Sequence, residues 1–115
     1  MFKTIWTPEA AQNYRELEEA ALKARANRQA RKQSKSSKQE GLFKQVHEAL
    51  KKLEQSPRHP GLHTHEYAGI PNPYDKNQKV FEAYAQNMTP GAYRMFWCYG
   101  PEKQQITILA ITPHP

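Results

Sequence analysis

The chain has 115 residues and a mass of 13.3 kDa, enough for one packed domain over 1–115 and too little for two. An apolar share of 37% and a mean hydropathy of −0.96 are low, yet two Trp, six Tyr and four Phe argue against wholesale disorder. No apolar run approaches the roughly 18–20 residues of a membrane span. Met1 to Trp6 is too short for a secretion signal, and the lone cysteine excludes an intrachain disulfide. The expectation is a soluble, cytoplasmic domain with no membrane partner.

Phe2 to Trp6 alternates bulky and polar residues and predicts a short first strand. Thr7-Pro8-Glu9 supplies an N-cap, a proline at the first helical position and an acid in the first turn. Tyr14, Leu17, Ala21 and Ala24 then keep helical spacing, and beyond Ala24 only alanines remain to pack. Ser37-Lys38-Gln39-Glu40 matches a capping box, and Leu42, Val46, Ala49, Leu50 and Leu53 form the apolar stripe of a second helix ending near Ser56-Pro57. The two helices should form an antiparallel hairpin.

After residue 56 the texture changes to strands and turns, and eight of the nine prolines fall there. Thr64 to Tyr67, Lys79 to Gln86, Ala92 to Tyr99 and Gln105 to Ile111 read as strands. Thr89-Pro90-Gly91 and Gly100-Pro101-Glu102-Lys103 read as the turns between the last three. Two helices followed by hairpins predict an α+β layer, a sheet with helices on one side. Tyr14, Leu17, Leu42, Val46, Leu50 and Leu53 should cover it, with Trp97 and Ile108 beneath or beside them.

The net charge is +6, and residues 20–39 contribute seven Lys and Arg with no acid, so the remainder of the chain sums to −1. A near-neutral body thus carries a basic hairpin tip at about 23–38. Arg25, Arg28, Arg31, Lys32 and Lys35 form either a solvated helix face or a surface for a polyanion such as RNA. The lack of interspersed acids favours the polyanion.

His63 and His65 lie two apart beside Glu66, and His114 stands near the C-terminal end. Histidines suit proton transfer and metal binding alike, and surface histidines in a proline-rich loop are the plainer alternative. His-x-His without cysteine spacing does not supply the three or four ligands of a zinc site, so no metal or cofactor is expected. Arg94 is the only charge in Tyr93-Arg94-Met95-Phe96-Trp97-Cys98-Tyr99. It should either pair with Glu82 on the preceding strand or grip a phosphate in a cleft. Cys98 reads as a buried filler.

Ile5-Trp6-Thr7-Pro8-Glu9-Ala10-Ala11, the hairpin, Leu53-Glu54-Gln55-Ser56-Pro57, a short histidine-bearing strand ending at Gly69, Tyr93-Arg94-Met95-Phe96-Trp97 and Ile108-Leu109-Ala110-Ile111-Thr112-Pro113-His114 follow one another over nearly the whole chain. Together they resemble the RelE/ParE toxin superfamily, closest to its histidine-using YoeB-like and YafQ-like mRNA interferases. The resemblance implies a helical hairpin on a small antiparallel sheet, with an N-terminal strand. It implies the toxin of a type II toxin–antitoxin system, an endoribonuclease (hydrolase) that cleaves mRNA on the ribosome, inhibits translation and is held inactive by a cognate antitoxin. Arg94 matches the arginine that binds the scissile phosphate, and His114 matches the general acid. His63, His65 and Glu66 are the candidates for the general base. The ParE branch keeps the fold but poisons DNA gyrase, so a non-catalytic gyrase inhibitor or a plain nucleic-acid-binding module is the alternative reading.

Overall fold

The computed structural model describes residues 1–33, 35–86 and 91–113. In chain order the elements are β1 (Lys3–Trp6), α1 (Pro8–Ala30), α2 (Lys38–Gln55), a 3-10 turn (Pro60–Leu62), β2 (His65–Glu66), β3 (Phe81–Tyr84), β4 (Tyr93–Tyr99) and β5 (Gln105–Pro113). The five-stranded sheet has the order β1-β5-β4-β3-β2. This is the expected α+β fold. One detail differs from a purely antiparallel sheet: β1 lies parallel to β5, the last strand of the chain, with both helices and β2–β4 between them in sequence.

Both helices begin where the sequence provides caps. The Thr7 hydroxyl oxygen accepts from the Ala10 N–H at 3.1 Å, and Pro8 opens α1 without wasting a donor. At α2 the Ser37 side chain accepts from the Glu40 N–H at 3.1 Å, while the Glu40 carboxylate accepts from the Ser37 N–H at 2.8 Å.

The helices cover one sheet face. Val46, Ala49, Leu50 and Leu53 of α2 and Ala10 of α1 are buried with Phe81, Ala83, Met95, Trp97, Ile106, Ile108 and Ile111. Tyr14, Leu17 and Leu42 pack against that core from its edge, as their spacing predicts. The docked part of α1 ends at Ala21; Leu22 is 58% exposed, and the basic half of the helix continues past the core. Among the described residues no helix is long and apolar enough to cross a membrane.

The opposite face has its own smaller core, which the hairpin-on-sheet expectation did not include. Val80, Phe96, Cys98, Leu109 and Ala110 are buried there under Tyr67 and Ile70 of the long segment between β2 and β3. That segment is pinned by polar contacts. Asn72 Oδ1 accepts from the Tyr74 and Asp75 N–H groups, and the Tyr74 hydroxyl meets Thr107 Oγ1 at 2.8 Å. Strand β2 is shorter than the Thr64–Tyr67 span predicted from sequence, because His63 adopts a left-handed conformation (φ 49°) that turns the chain off the sheet edge. Of the Thr89-Pro90-Gly91 turn, Thr89 and Pro90 lie outside the described residues.

Candidate active site

The register of the sheet decides which side chains meet. Glu82 pairs with Phe96 and Tyr84 with Arg94, so Glu82, Tyr84, Arg94 and Phe96 share the face away from the helices. That face changes character along β4: Phe96 and Cys98 lie under the β2–β3 segment, whereas Arg94 lies past it. His65 pairs with Glu82 across the β2–β3 ladder and points to the same side. Thr112 pairs with Arg94 and Pro113 with Tyr93, so the chain after Ile111 returns beside the start of β4 as counted from the turn. His114 itself lies outside the described residues.

Arg94 is 9% exposed and its guanidinium is held by neutral groups. Nη1 donates to the backbone carbonyls of Gln86 at 3.2 Å and Ala92 at 3.4 Å. Cζ sits 3.7 Å from the centroid of the Tyr84 ring, a cation–π contact. Glu82 is the near carboxylate foreseen as a partner, yet its Oε2 stands 3.9 Å from Arg94 Nε, beyond hydrogen-bonding distance. Both of those atoms are buried without a hydrogen-bond partner among the described residues. Among the described residues Arg94 is therefore fixed in orientation without a carboxylate closing on its fork.

The other oxygen of Glu82 is engaged. Its Oε1 lies 2.6 Å from His65 Nε2, and His65 Nδ1 lies 3.1 Å from the backbone carbonyl of His63. The rings of His63 and His65 stand 5.8 Å and 5.6 Å from the Tyr84 ring, so Tyr84 is flanked by both histidines and by Arg94. Among the described residues the His63 ring meets no hydrogen-bond partner and its side chain is exposed.

Glu66 is not brought to this cluster. It points to the other side of β2, opposite Phe81, and its carboxylate accepts from Lys79 Nζ at 2.6 Å in the open. Cys98 is buried two residues further along the Phe96 side, and that burial pushes its thiol up to about 11, which leaves it inert.

The basic tip is mostly as open as its sequence suggests. Arg25, Arg31, Lys32 and Lys35 are exposed. Arg28 differs: its Nε and Nη2 donate to the two Glu40 carboxylate oxygens at 3.0 and 2.9 Å, and its Nη1 donates to the Gln33 carbonyl at 3.3 Å. The first acid beyond the basic window neutralises one of its arginines, a pairing signalled in sequence only by Glu40 opening α2 across the hairpin.

The fold is a helical hairpin laid on a five-stranded sheet whose first strand runs parallel to its neighbour, with Arg94 buried on the central β4. A YoeB/ParE toxin from Agrobacterium tumefaciens has a similar structure, with a TM-score of 0.53 over 98% of this chain and 99% of that one at 10% identity. No family model matches the sequence, and neither does any curated protein.

Proposed function

We propose that the chain is the toxin of a type II toxin–antitoxin pair and acts as a cytoplasmic endoribonuclease on mRNA at the ribosome, restrained by a protein antitoxin. The observation that carries this reading is the state of Arg94: buried, oriented by two carbonyls and a tyrosine ring, and without a hydrogen-bonded carboxylate among the described residues. A planar guanidinium held in this way is suited to grip a phosphate bidentately.

In the reaction the ribose 2′-OH attacks the adjacent phosphorus, its proton leaves to a base, and the 5′-oxygen departs with a proton from an acid, leaving a cyclic phosphate. No metal or cofactor takes part in this scheme. Arg94 stabilises the charge that builds on the phosphorane, the step where a preorganised cation has most effect. His114 is proposed as the acid, on the family resemblance. Of the three candidates for the base, His63 has the best claim, since both His65 nitrogens already face acceptors and Glu66 is tied to Lys79. The basic residues Arg25, Arg31, Lys32 and Lys35 contribute RNA affinity and not chemistry.

The test is inducible expression with mRNA cleavage and growth followed together, and gyrase supercoiling measured on the purified chain. Arg94→Ala and His114→Ala should each abolish cleavage and toxicity while the proteins stay folded. His47→Ala, on α2 and bonded to the Tyr14 hydroxyl at 3.1 Å, should do neither. Toxicity with intact mRNA and inhibited supercoiling would replace the nuclease by a gyrase inhibitor.

A further inference from the structure

The cleavage scheme leaves one buried group without a task. Glu82, 2% exposed, places a carboxylate beside the arginine that must attract an anion. An unneutralised carboxylate 3.9 Å away would cancel much of the field that Arg94 offers to a phosphate. The geometry around His65 shows how that charge is balanced.

His65 Nδ1 faces the His63 carbonyl at 3.1 Å, and a carbonyl only accepts, so Nδ1 carries a hydrogen and donates it. His65 Nε2 faces Glu82 Oε1 at 2.6 Å. Were both groups without a proton there, two lone pairs would oppose each other at that distance. One proton therefore lies between them. Imidazolium with carboxylate, or imidazole with carboxylic acid, gives the pair the same net charge of zero. Arg94 then keeps its full positive charge, and the three residues together carry one. Among the described residues the groups packed around His65 include no second acid on this side: Glu82 and Tyr84 come from β3, Arg94 from β4 and His63 from the turn before β2. Glu66 is on the far side, bonded to Lys79.

We propose that His65 and Glu82 form a proton-holding pair that keeps the Arg94 guanidinium available to a phosphodiester, so that both are positioning residues and neither is the general base. The inference rests on the assignment of Arg94 to the scissile phosphate. Without the shared proton the pair would carry a net negative charge, and Glu82 Oε2 would draw Arg94 Nε.

Dimethyl phosphate is a suitable probe, a diester monoanion whose charge does not change near neutral pH. Its binding is followed on the Arg94 Nε–H resonance, which the basic tip does not influence. His65→Gln keeps an amide donor for Glu82 but cannot bring a proton, and should weaken the diester about tenfold, the low end of what a neighbouring unit charge does to an ionic equilibrium. Glu82→Gln should bind at least as well as wild type. The double variant should return to the Glu82→Gln affinity. Unchanged binding in His65→Gln, or a double variant as weak as His65→Gln alone, would overturn the pairing. RNA cleavage on ribosomes is measured in parallel. Diester binding that follows this cycle in a chain that cuts no RNA removes the nuclease reading and leaves the pair standing. Cleavage by a chain whose diester binding ignores His65 does the reverse.

Discussion

Among the described residues there are two arginine–glutamate encounters, and they differ in almost every respect. At the hairpin tip Arg28 closes on Glu40 with two hydrogen bonds, at 2.9 and 3.0 Å, and the same carboxylate completes the α2 capping box. At the sheet, Arg94 stops 3.9 Å short of Glu82 and turns its fork to carbonyls and a ring. The closed pair lies beyond the docked part of α1, where the two helices meet away from the sheet. The open pair lies in a well-packed strand. Arg28 is thus committed to an ion pair, whereas Arg94 is held by neutral groups within a packed strand.

Exchanging arginine for lysine at the two places should break this comparison most clearly. Arg94→Lys keeps the charge but loses the planar fork that reaches two carbonyls and lies over Tyr84. Cleavage of mRNA should fall about 100-fold, the scale of removing one preorganised donor from a transition state. Arg28→Lys should leave the cleavage rate unchanged and loosen only the tip, read as faster hydrogen exchange around Ser37. Equal cleavage by both lysine variants would mean that Arg94 is structural after all.

The next effect concerns the rest of the tip. Replacing Arg25, Arg31, Lys32 and Lys35 by Gln together should lower the slope of log affinity for RNA against log salt by about 3. Adding Arg28→Gln to the set should change the slope no further, since its guanidinium is already committed to Glu40. A further drop of a full unit would show that Arg28 leaves Glu40 to bind RNA. The circular dichroism spectrum should show every variant folded.

The two regions were not equally legible in the sequence. Local signals located the caps, the stripe Leu42, Val46, Ala49, Leu50 and Leu53, and the strand-and-turn rhythm after residue 56, because each depends on spacing within one element. The alternation of β3 placed Glu82 and Tyr84 on one face and so on the side of Arg94. What spacing could not give was distance. Glu82 was a foreseeable neighbour of Arg94, but that it would stop short of it and bond to His65 depends on the register of β2, a strand of two residues. Glu66 looked equivalent to His65 in sequence and points the other way, since adjacent strand residues face opposite sides. The second small core under Tyr67 and Ile70 was hidden in a segment with little periodicity.

A smaller effect isolates the capping box from the ion pair. Ser37→Ala removes the acceptor for the Glu40 N–H and should cost about 1 kcal/mol in chemical denaturation. Ser37→Asp, which also caps well, should restore most of it. Neither change should alter mRNA cleavage. If Ser37→Ala lowers cleavage as well as stability, tip and site are coupled and the two regions cannot be treated as separate.

The smallest effect is the acid response of the closed pair. Glu40 is held at about 2, well below the ordinary glutamate value of 4.5, first by the hydrogen bond from Arg28 and then by the Ser37 N–H. A carboxyl lowered in the folded state adds stability that is complete above its unfolded value and fades as pH falls toward its folded one. The tip should therefore keep its order down to about pH 4.5 and loosen between there and about pH 2. The Ser37 amide, which donates to Glu40 at 2.8 Å, is the reporter: its chemical shift should move across that window. Arg28→Ala removes the largest cause and leaves the Ser37 bonds, so the Glu40 midpoint should rise part of the way and stay below that of an unpaired glutamate. A midpoint unmoved by Arg28→Ala would place the whole effect in the capping box, and the tip would then hold no true counterpart to the open pair at Arg94.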